Sequence, residues 1–391
     1  MKKTSILLWT AVLLMSCSSL KKNANTTIID SGPVPFELIK GAIIVPVSIG
    51  DMVYRFVLDT GGYFTIAETI KDAQNLAVTS EIEVSDISQL SRNFEKVAVP
   101  TLRIGNWEIK GEEAIVSNSY NTYPTRCFGN TGMIGRNLLK DVLLQIDYAT
   151  KTLRITNQAN RLQLNPEARN KMKISKRGLP SVKLALDGKR QYIEFDSGSK
   201  DWFSFKTSDL ADRQNSSTNE MAVYEGIFSF GFSGKDLTAE QRYSALINQL
   251  ALGNVMFEDS HSDLSKRTAP RIGSGLLQYG TVTIDYRDGW FYYEGYEAAP
   301  VTVTPLKRNF SVAKIDGRFI IKWVKKGSDA DAQGLQYGDH VLAINGSPLE
   351  DLGEECELYV DDYSFLNQST LQLTTKDAAG TTRTLTVRTQ K

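Results

Sequence analysis

Residues 41–62 read GAIIVPVSIGDMVYRFVLDTGG, and residues 178–199 read GLPSVKLALDGKRQYIEFDSGS. Each stretch opens on glycine, passes through two alternating apolar segments split by a Gly/Asp turn, and closes on Asp-Thr/Ser-Gly. Ala42–Ile49 and Tyr54–Leu58 read as strands, and each triplet follows an apolar strand, Phe56–Leu58 or Ile193–Phe195. Gly41 stands 18 residues before Asp59, and Gly178 stands 18 before Asp196. A second pair of segments keeps the same register. Ile134-Gly135-Arg136-Asn137-Leu138-Leu139 precedes Ile146-Asp147-Tyr148, and Ile272-Gly273-Ser274-Gly275-Leu276-Leu277 precedes Ile284-Asp285-Tyr286. Asp59 lies 76 residues before Gly135, and Asp196 lies 77 before Gly273. Landmarks held in register over that length imply an internal duplication of one β-rich unit.

The rest of residues 36–298 fits the same class. Short alternating apolar runs at 42–49, 54–58, 97–104, 113–116 and 152–155 read as strands, separated by Gly, Asn and Asp. Helical periodicity is scarce, and Gln241–Leu250 is the candidate helix. A third triplet, Asp30-Ser31-Gly32, precedes Pro33, and the Ile104-Gly105 downstream of it lacks the Leu-Leu and Ile-Asp-Tyr that follow the others, so it reads as a turn.

The two triplets at matched positions carry a chemistry. Two carboxyl groups brought together by facing units cannot both ionise, so they share one proton. The charged member takes a proton from a water, and the protonated member donates to a carbonyl oxygen. Gly61 and Gly198 let the two backbones approach. The Thr60 and Ser197 hydroxyls are placed to bond across to the opposite loop. Two other readings stay open: a duplicated unit that only holds peptides, and a dimer of chains in which one triplet works.

The repeat resembles the retropepsin-like aspartic peptidases, whose unit carries hydrophobic-hydrophobic-Asp-Thr/Ser-Gly and later hydrophobic-Ile-Gly. The match runs from about Phe36 to Tyr296, with both units in one chain. The resemblance implies a mainly β, two-lobed retropepsin/pepsin-like fold, a polypeptide substrate, no cofactor and no metal. It implies Asp59 and Asp196 as the catalytic pair, with Ile134-Gly135 and Ile272-Gly273 in strands passing behind each Asp loop. After the triplet the family often has a small or hydroxyl residue. Ser199 fits this, whereas the first unit has Gly62. A hydroxyl there favours the charged carboxylate, which makes Asp196 the base and Asp59 the protonated partner. Candidate flaps are Ser85–Phe94 and Tyr224–Phe232, the latter with alternating Phe228, Phe230 and Phe232.

The N-terminus reads as an export signal. Met1-Lys2-Lys3 is basic and Ile6–Leu14 is apolar but too short to span a bilayer. Leu14-Met15-Ser16-Cys17 resembles a bacterial lipobox, which implies lipid attachment at Cys17 and a periplasm-facing, membrane-anchored protein of the cell envelope. Residues 18–35 are polar and small, as in a tether. Cys127 and Cys356 lie far apart, and although export would permit pairing they read as two small buried hydrophobes. Two histidines in the whole chain argue against a His-rich zinc site. Lys+Arg and Asp+Glu number 45 each, so there is no basic excess for nucleic acid.

Beyond Pro300 the pattern changes. Gly317–Val324 reads as a strand, Gly327-Ser328-Asp329-Ala330-Asp331-Ala332 opens a short helix, and His340–Asn345 is a strand ending on the Asn345-Gly346 turn signal. The segment GSDADAQGLQYGDHVLAING resembles the PDZ domains attached to bacterial peptidases. Such a module adds a peptide strand or C-terminus to a sheet edge. Arg318, Phe319, Ile320 and Ile321 are the candidate edge and loop. The expected organisation is a signal peptide at 1–16, a lipidated tether at 17–35, one lobe at 36–157, a linker at 158–175, a second lobe at 176–298 and a PDZ-like domain at 300–391, in a monomer.

Overall fold

The structure is a computed structural model. It describes residues 28–85, 91–176, 178–206, 222–227, 239–265, 270–304, 307–315, 317–349 and 353–390. Cys17 and the export signal lie outside the described residues, as do Phe228, Phe230, Phe232 and the middle of the Ser85–Phe94 stretch. Strands make up 55% and helix 12%, so the expectation of a mainly β chain holds.

Both quoted stretches form hairpins. Ala42–Ile49 pairs antiparallel with Met52–Leu58, and Pro180–Leu186 pairs antiparallel with Lys189–Asp196. Each Asp-bearing strand then takes the Ile-Gly segment as a parallel neighbour, with Leu58 opposite Ile134 and Phe195 opposite Ile272. A short strand after each triplet, Thr65–Ala67 and Phe203–Lys206, packs antiparallel on the other side of that segment. The inward positions of these strands are large and apolar: Phe56, Leu58, Ile134, Phe195, Phe203 and Ile272 are almost fully buried. Burying a side chain of that size contributes roughly 1.5–3 kcal/mol, and the alternation fixes which face of each strand is inside.

A sheet joins the two regions. Leu143–Asp147 pairs antiparallel with Gly280–Asp285, the two Ile-Asp-Tyr segments thus lying side by side. Thr152–Thr156 and Trp290–Gly295 extend it. One continuous apolar core runs from Val34 to Val303, so neither hairpin region has a separate interior.

Three expectations need correction. Gln241–Leu250 belongs to the strand Glu240–Leu252, not to a helix. Its buried positions Ser244, Ile247 and Leu250 recur every three residues, which imitates helical spacing. The Gly253-Asn254 turn and the partner strand Val255–Ser265 decide the matter. The end of the supposed tether is part of the body: Val34–Pro35 pairs with Thr152–Leu153, and Asp30 is held by Arg154 at 2.7 and 2.9 Å. Asp30 also accepts from the Gly32 amide, as a turn residue does. Finally, Cys127 and Cys356 form a disulfide rather than separate buried thiols. They are 229 residues apart in sequence, and nothing local in either region announces the pairing.

The C-terminal module has its own core, which includes Phe310, Phe319, Ile321, Val341, Leu371 and Val387. Its short helix at Asp329–Ala332 is capped by Ser328, whose side chain accepts from the Asp331 amide.

Candidate active site

The two Asp-Thr/Ser-Gly loops meet. The Thr60 amide donates to Ser197 Oγ at 3.0 Å, and the Ser197 amide donates to Thr60 Oγ1 at 3.0 Å. Ser197 Oγ donates in turn to the Leu58 carbonyl at 2.9 Å. Thr60 and Ser197 are essentially fully buried, so these reciprocal bonds lock one loop to the other out of water. A Cβ on Gly198 would lie 2.5 Å from Asp59 Cγ, and one on Gly61 would lie 3.0 Å from Asp196 Cγ. Any larger residue at either position would displace a carboxyl group.

Each carboxyl group lies against the glycine of the other loop, close enough for the Asp196 charge to act on Asp59. Asp59 Oδ1 accepts the amides of Gly61 and Gly62 at 2.8 and 2.9 Å, and Asp196 Oδ1 accepts that of Gly198 at 3.0 Å. Burial raises the Asp59 carboxyl to about 7, and the negative charge of Asp196 adds to the shift.

The Ile-Gly segments support this geometry from behind. The Asp59 amide donates to the Ile134 carbonyl at 3.0 Å, and the Arg136 amide donates to the Gly62 carbonyl at 2.9 Å. A Cβ on Gly135 would be 2.1 Å from the Tyr63 carbonyl carbon, and one on Gly273 would be 2.1 Å from the Asp201 carbonyl oxygen. Only glycine permits these approaches, which explains the glycine at both sites. The Arg136 guanidinium donates to the Gly61 carbonyl at 2.7 Å and stacks 4.3 Å from the centre of the Tyr63 ring.

One participant was not read from the sequence. Arg271 Nη1 lies 2.8 Å from Asp196 Oδ2. Comparing the two repeats position by position would have exposed it: the residue before Ile-Gly is Met133 in one and Arg271 in the other. Ser199, expected to polarise Asp196, meets it through its backbone amide, which donates to the Asp196 carbonyl. Among the described hydrogen bonds none joins the Ser199 hydroxyl to the carboxylate, so that expectation is corrected in favour of Arg271. No group of three or more His, Cys, Asp or Glu among the described residues is placed to hold a metal ion.

The peptide-edge expectation at Arg318, Phe319, Ile320 and Ile321 is also corrected. Their strand, Arg318–Lys325, has Phe310–Ile315 on one side. On the other it has His340 opposite Ile320, and further along Ala222–Gly226. Phe319 and Ile321 face the module's core. Alternating apolar residues mark a strand, but they do not say which of its sides is covered. The side left open among the described pairings belongs to Phe310–Ile315.

Among the described residues the module is held against the rest of the chain at two places. Near Cys127–Cys356, Tyr123 and Tyr363 share a hydroxyl hydrogen bond of 2.8 Å, and ion pairs join Arg126 to Glu355 and Lys40 to Asp362. At the second, Ala222–Gly226 adds to the module's sheet, with Gly226 opposite Trp323.

Comparison with known proteins gives the class. The PDZ domain family matches residues 309–390, and that part of the chain is a PDZ domain. The protein is therefore a mainly β chain in which the dyad-bearing region precedes a PDZ domain. Among solved structures, basic 7S globulin from soybean is similar at 12% identity and a TM-score of 0.41, over 69% of this chain and 95% of that one. A likeness of that size defines neither fold nor activity. No curated protein matches the chain.

Proposed function

We propose that the protein is an aspartic endopeptidase built from two retropepsin-like units in one chain, in which Asp59 and Asp196 activate a water against a peptide carbonyl. The observation that carries this reading is the reciprocal Thr60–Ser197 lock, which sets each carboxyl group against the glycine of the other loop. A like-charged pair is costly to bury, and a shared proton on which water chemistry runs is a use that offsets the cost. The recurrence of the same strand pairings around each triplet supports a duplicated unit.

In the reaction the ionised carboxylate takes a proton from water, whose oxygen bonds to the scissile carbonyl carbon. The other carboxyl gives its proton to the carbonyl oxygen. Collapse of the tetrahedral species breaks the C–N bond, with a proton delivered to the leaving nitrogen. The PDZ domain supports a polypeptide partner, which fits a role in presenting substrate. Residues 1–17 support lipid attachment at Cys17 in a bacterial envelope, with the catalytic region facing the periplasm.

The test uses protein lacking residues 1–22 on a peptide library, beside Asp59→Asn and Asp196→Asn. Cleavage by wild type and at least a hundredfold loss in each variant is expected. Peptide binding without cleavage in all three would instead make this a peptide-holding protein, the reading that the PDZ domain alone favours. Full activity in either single variant would leave one triplet working by itself.

A further inference from the structure

The two carboxyl groups of the dyad sit in unlike surroundings. The Asp196 carboxyl has a neighbour at each oxygen: Oδ1 accepts from the Gly198 amide, and Oδ2 lies 2.8 Å from Arg271 Nη1 in an ion pair. The two side chains are each 11% exposed, so this ion pair is little screened by solvent. Among the described residues the donors to Asp59 are neutral, two backbone amides on Oδ1. The asymmetry is written into the strands. Arg271 stands opposite Glu194 in the second region, and Met133 stands opposite Val57 in the first, at the same register relative to Ile-Gly. The Met133 sulfur lies where a Cβ on Gly62 would meet it, on the Asp59 side.

We infer that Arg271 is the positioning residue that fixes the polarity of the dyad, holding Asp196 as the carboxylate that accepts the water proton and leaving the shared proton on Asp59. The inference rests on the peptidase reading above, and it adds the direction of proton flow. Other charged or titratable groups near the pair do not compete for this role. Arg136 is on the Asp59 side, but its guanidinium is directed at the Gly61 carbonyl and the Tyr63 ring. Tyr120 and Tyr286 feel the Asp59 charge, and burial keeps both phenols neutral. Glu194 is the cross-strand neighbour of Arg271 and carries the opposite charge to it. Two opposite charges 2.8 Å apart with little solvent between them favour the ionised carboxylate.

The experiment compares wild type, Arg271→Met and Arg271→Lys in the protein lacking residues 1–22. Aspartate carboxyl carbons are labelled and titrated by NMR, and kcat/KM is measured against pH in parallel. In Arg271→Met, which copies the residue of the first unit, the dyad midpoints and the acid limb of the rate profile should move up by about one to two pH units. Arg271→Lys should lie closer to wild type, because it retains the charge. Midpoints that stay in place in Arg271→Met, or that move equally in both variants, overturn the inference. If Arg271→Met does not fold, the same titration on Arg271→Gln decides. Failure of the peptidase reading is distinguishable: wild type would then cleave nothing while the carboxyl titrations still shifted with the Arg271 charge.

Discussion

Asp59 is where folding and chemistry pull on the same proton. Its carboxyl is raised from 3.8 to about 7 because burial penalises the charge and Asp196 repels it. The folded protein therefore binds a proton that the unfolded chain releases above its ordinary carboxylate range. The sign follows from linkage: this contribution to stability is complete below 3.8 and is lost as pH rises through about 7. Asp59→Asn removes the titration. Thermal melts at pH 4 to 8 should show the variant gaining on wild type as pH increases. A constant difference between the two across that range would contradict the raised carboxyl. Activity should fall over the same upper range, since the acid of the pair is deprotonated there.

At the scale of elements, the strand Ala222–Gly226 connects the dyad region to the PDZ domain. Tyr224 stands opposite Lys325 and packs edge-on against the Trp323 ring at 5.3 Å, and the Ile227 amide donates to the Lys322 carbonyl at 2.9 Å. Gly226 makes the junction possible. Its φ is 151°, and a Cβ there would sit 2.1 Å from the Lys322 carbonyl oxygen. Gly226→Ala should therefore part the two strands and cost about 1–3 kcal/mol. Hydrogen exchange gives the local reading: the Ile227 and Lys326 amides should lose protection by tenfold or more, while those of Asp59 and Ser197 stay protected. Unchanged exchange at Ile227 and Lys326 would mean that the junction does not depend on this glycine.

At the scale of the whole molecule, the chain is closed by one covalent link. Cys127, from the 3-10 turn Thr125–Phe128, is joined to Cys356 on the helix Glu355–Val360. The long loop this closes restricts the unfolded chain, an effect typically worth 2–4 kcal/mol. Cys127→Ala with Cys356→Ala should lower stability by about that amount in denaturant titrations. The dyad should survive, because the Thr60–Ser197 lock makes no use of the disulfide. A double variant as stable as the parent would show that the Tyr123–Tyr363 and ion-pair contacts suffice to hold the PDZ domain.

The sequence by itself determined a great deal of this. The alternation ahead of each triplet marked an apolar strand, because period-two burial leaves one way to place Phe56, Leu58, Ile193 and Phe195 inside, and the structure pairs each into a hairpin. The matched triplets put Asp59 and Asp196 forward, and the hydroxyl after each Asp announced the cross-loop bonds that Thr60 and Ser197 make. The PDZ segment was legible for the same reason, since its turn and cap residues act locally. What only the tertiary structure decided were relations between distant residues. Arg271 meets Asp196 because a parallel strand carries it there, Cys127 finds Cys356 across 229 residues, and Arg318–Lys325 is enclosed by strands that its own alternation cannot specify. Local propensity acts within a few residues, whereas pairing, charge contact and the covering of an edge depend on which surfaces the folded chain brings together.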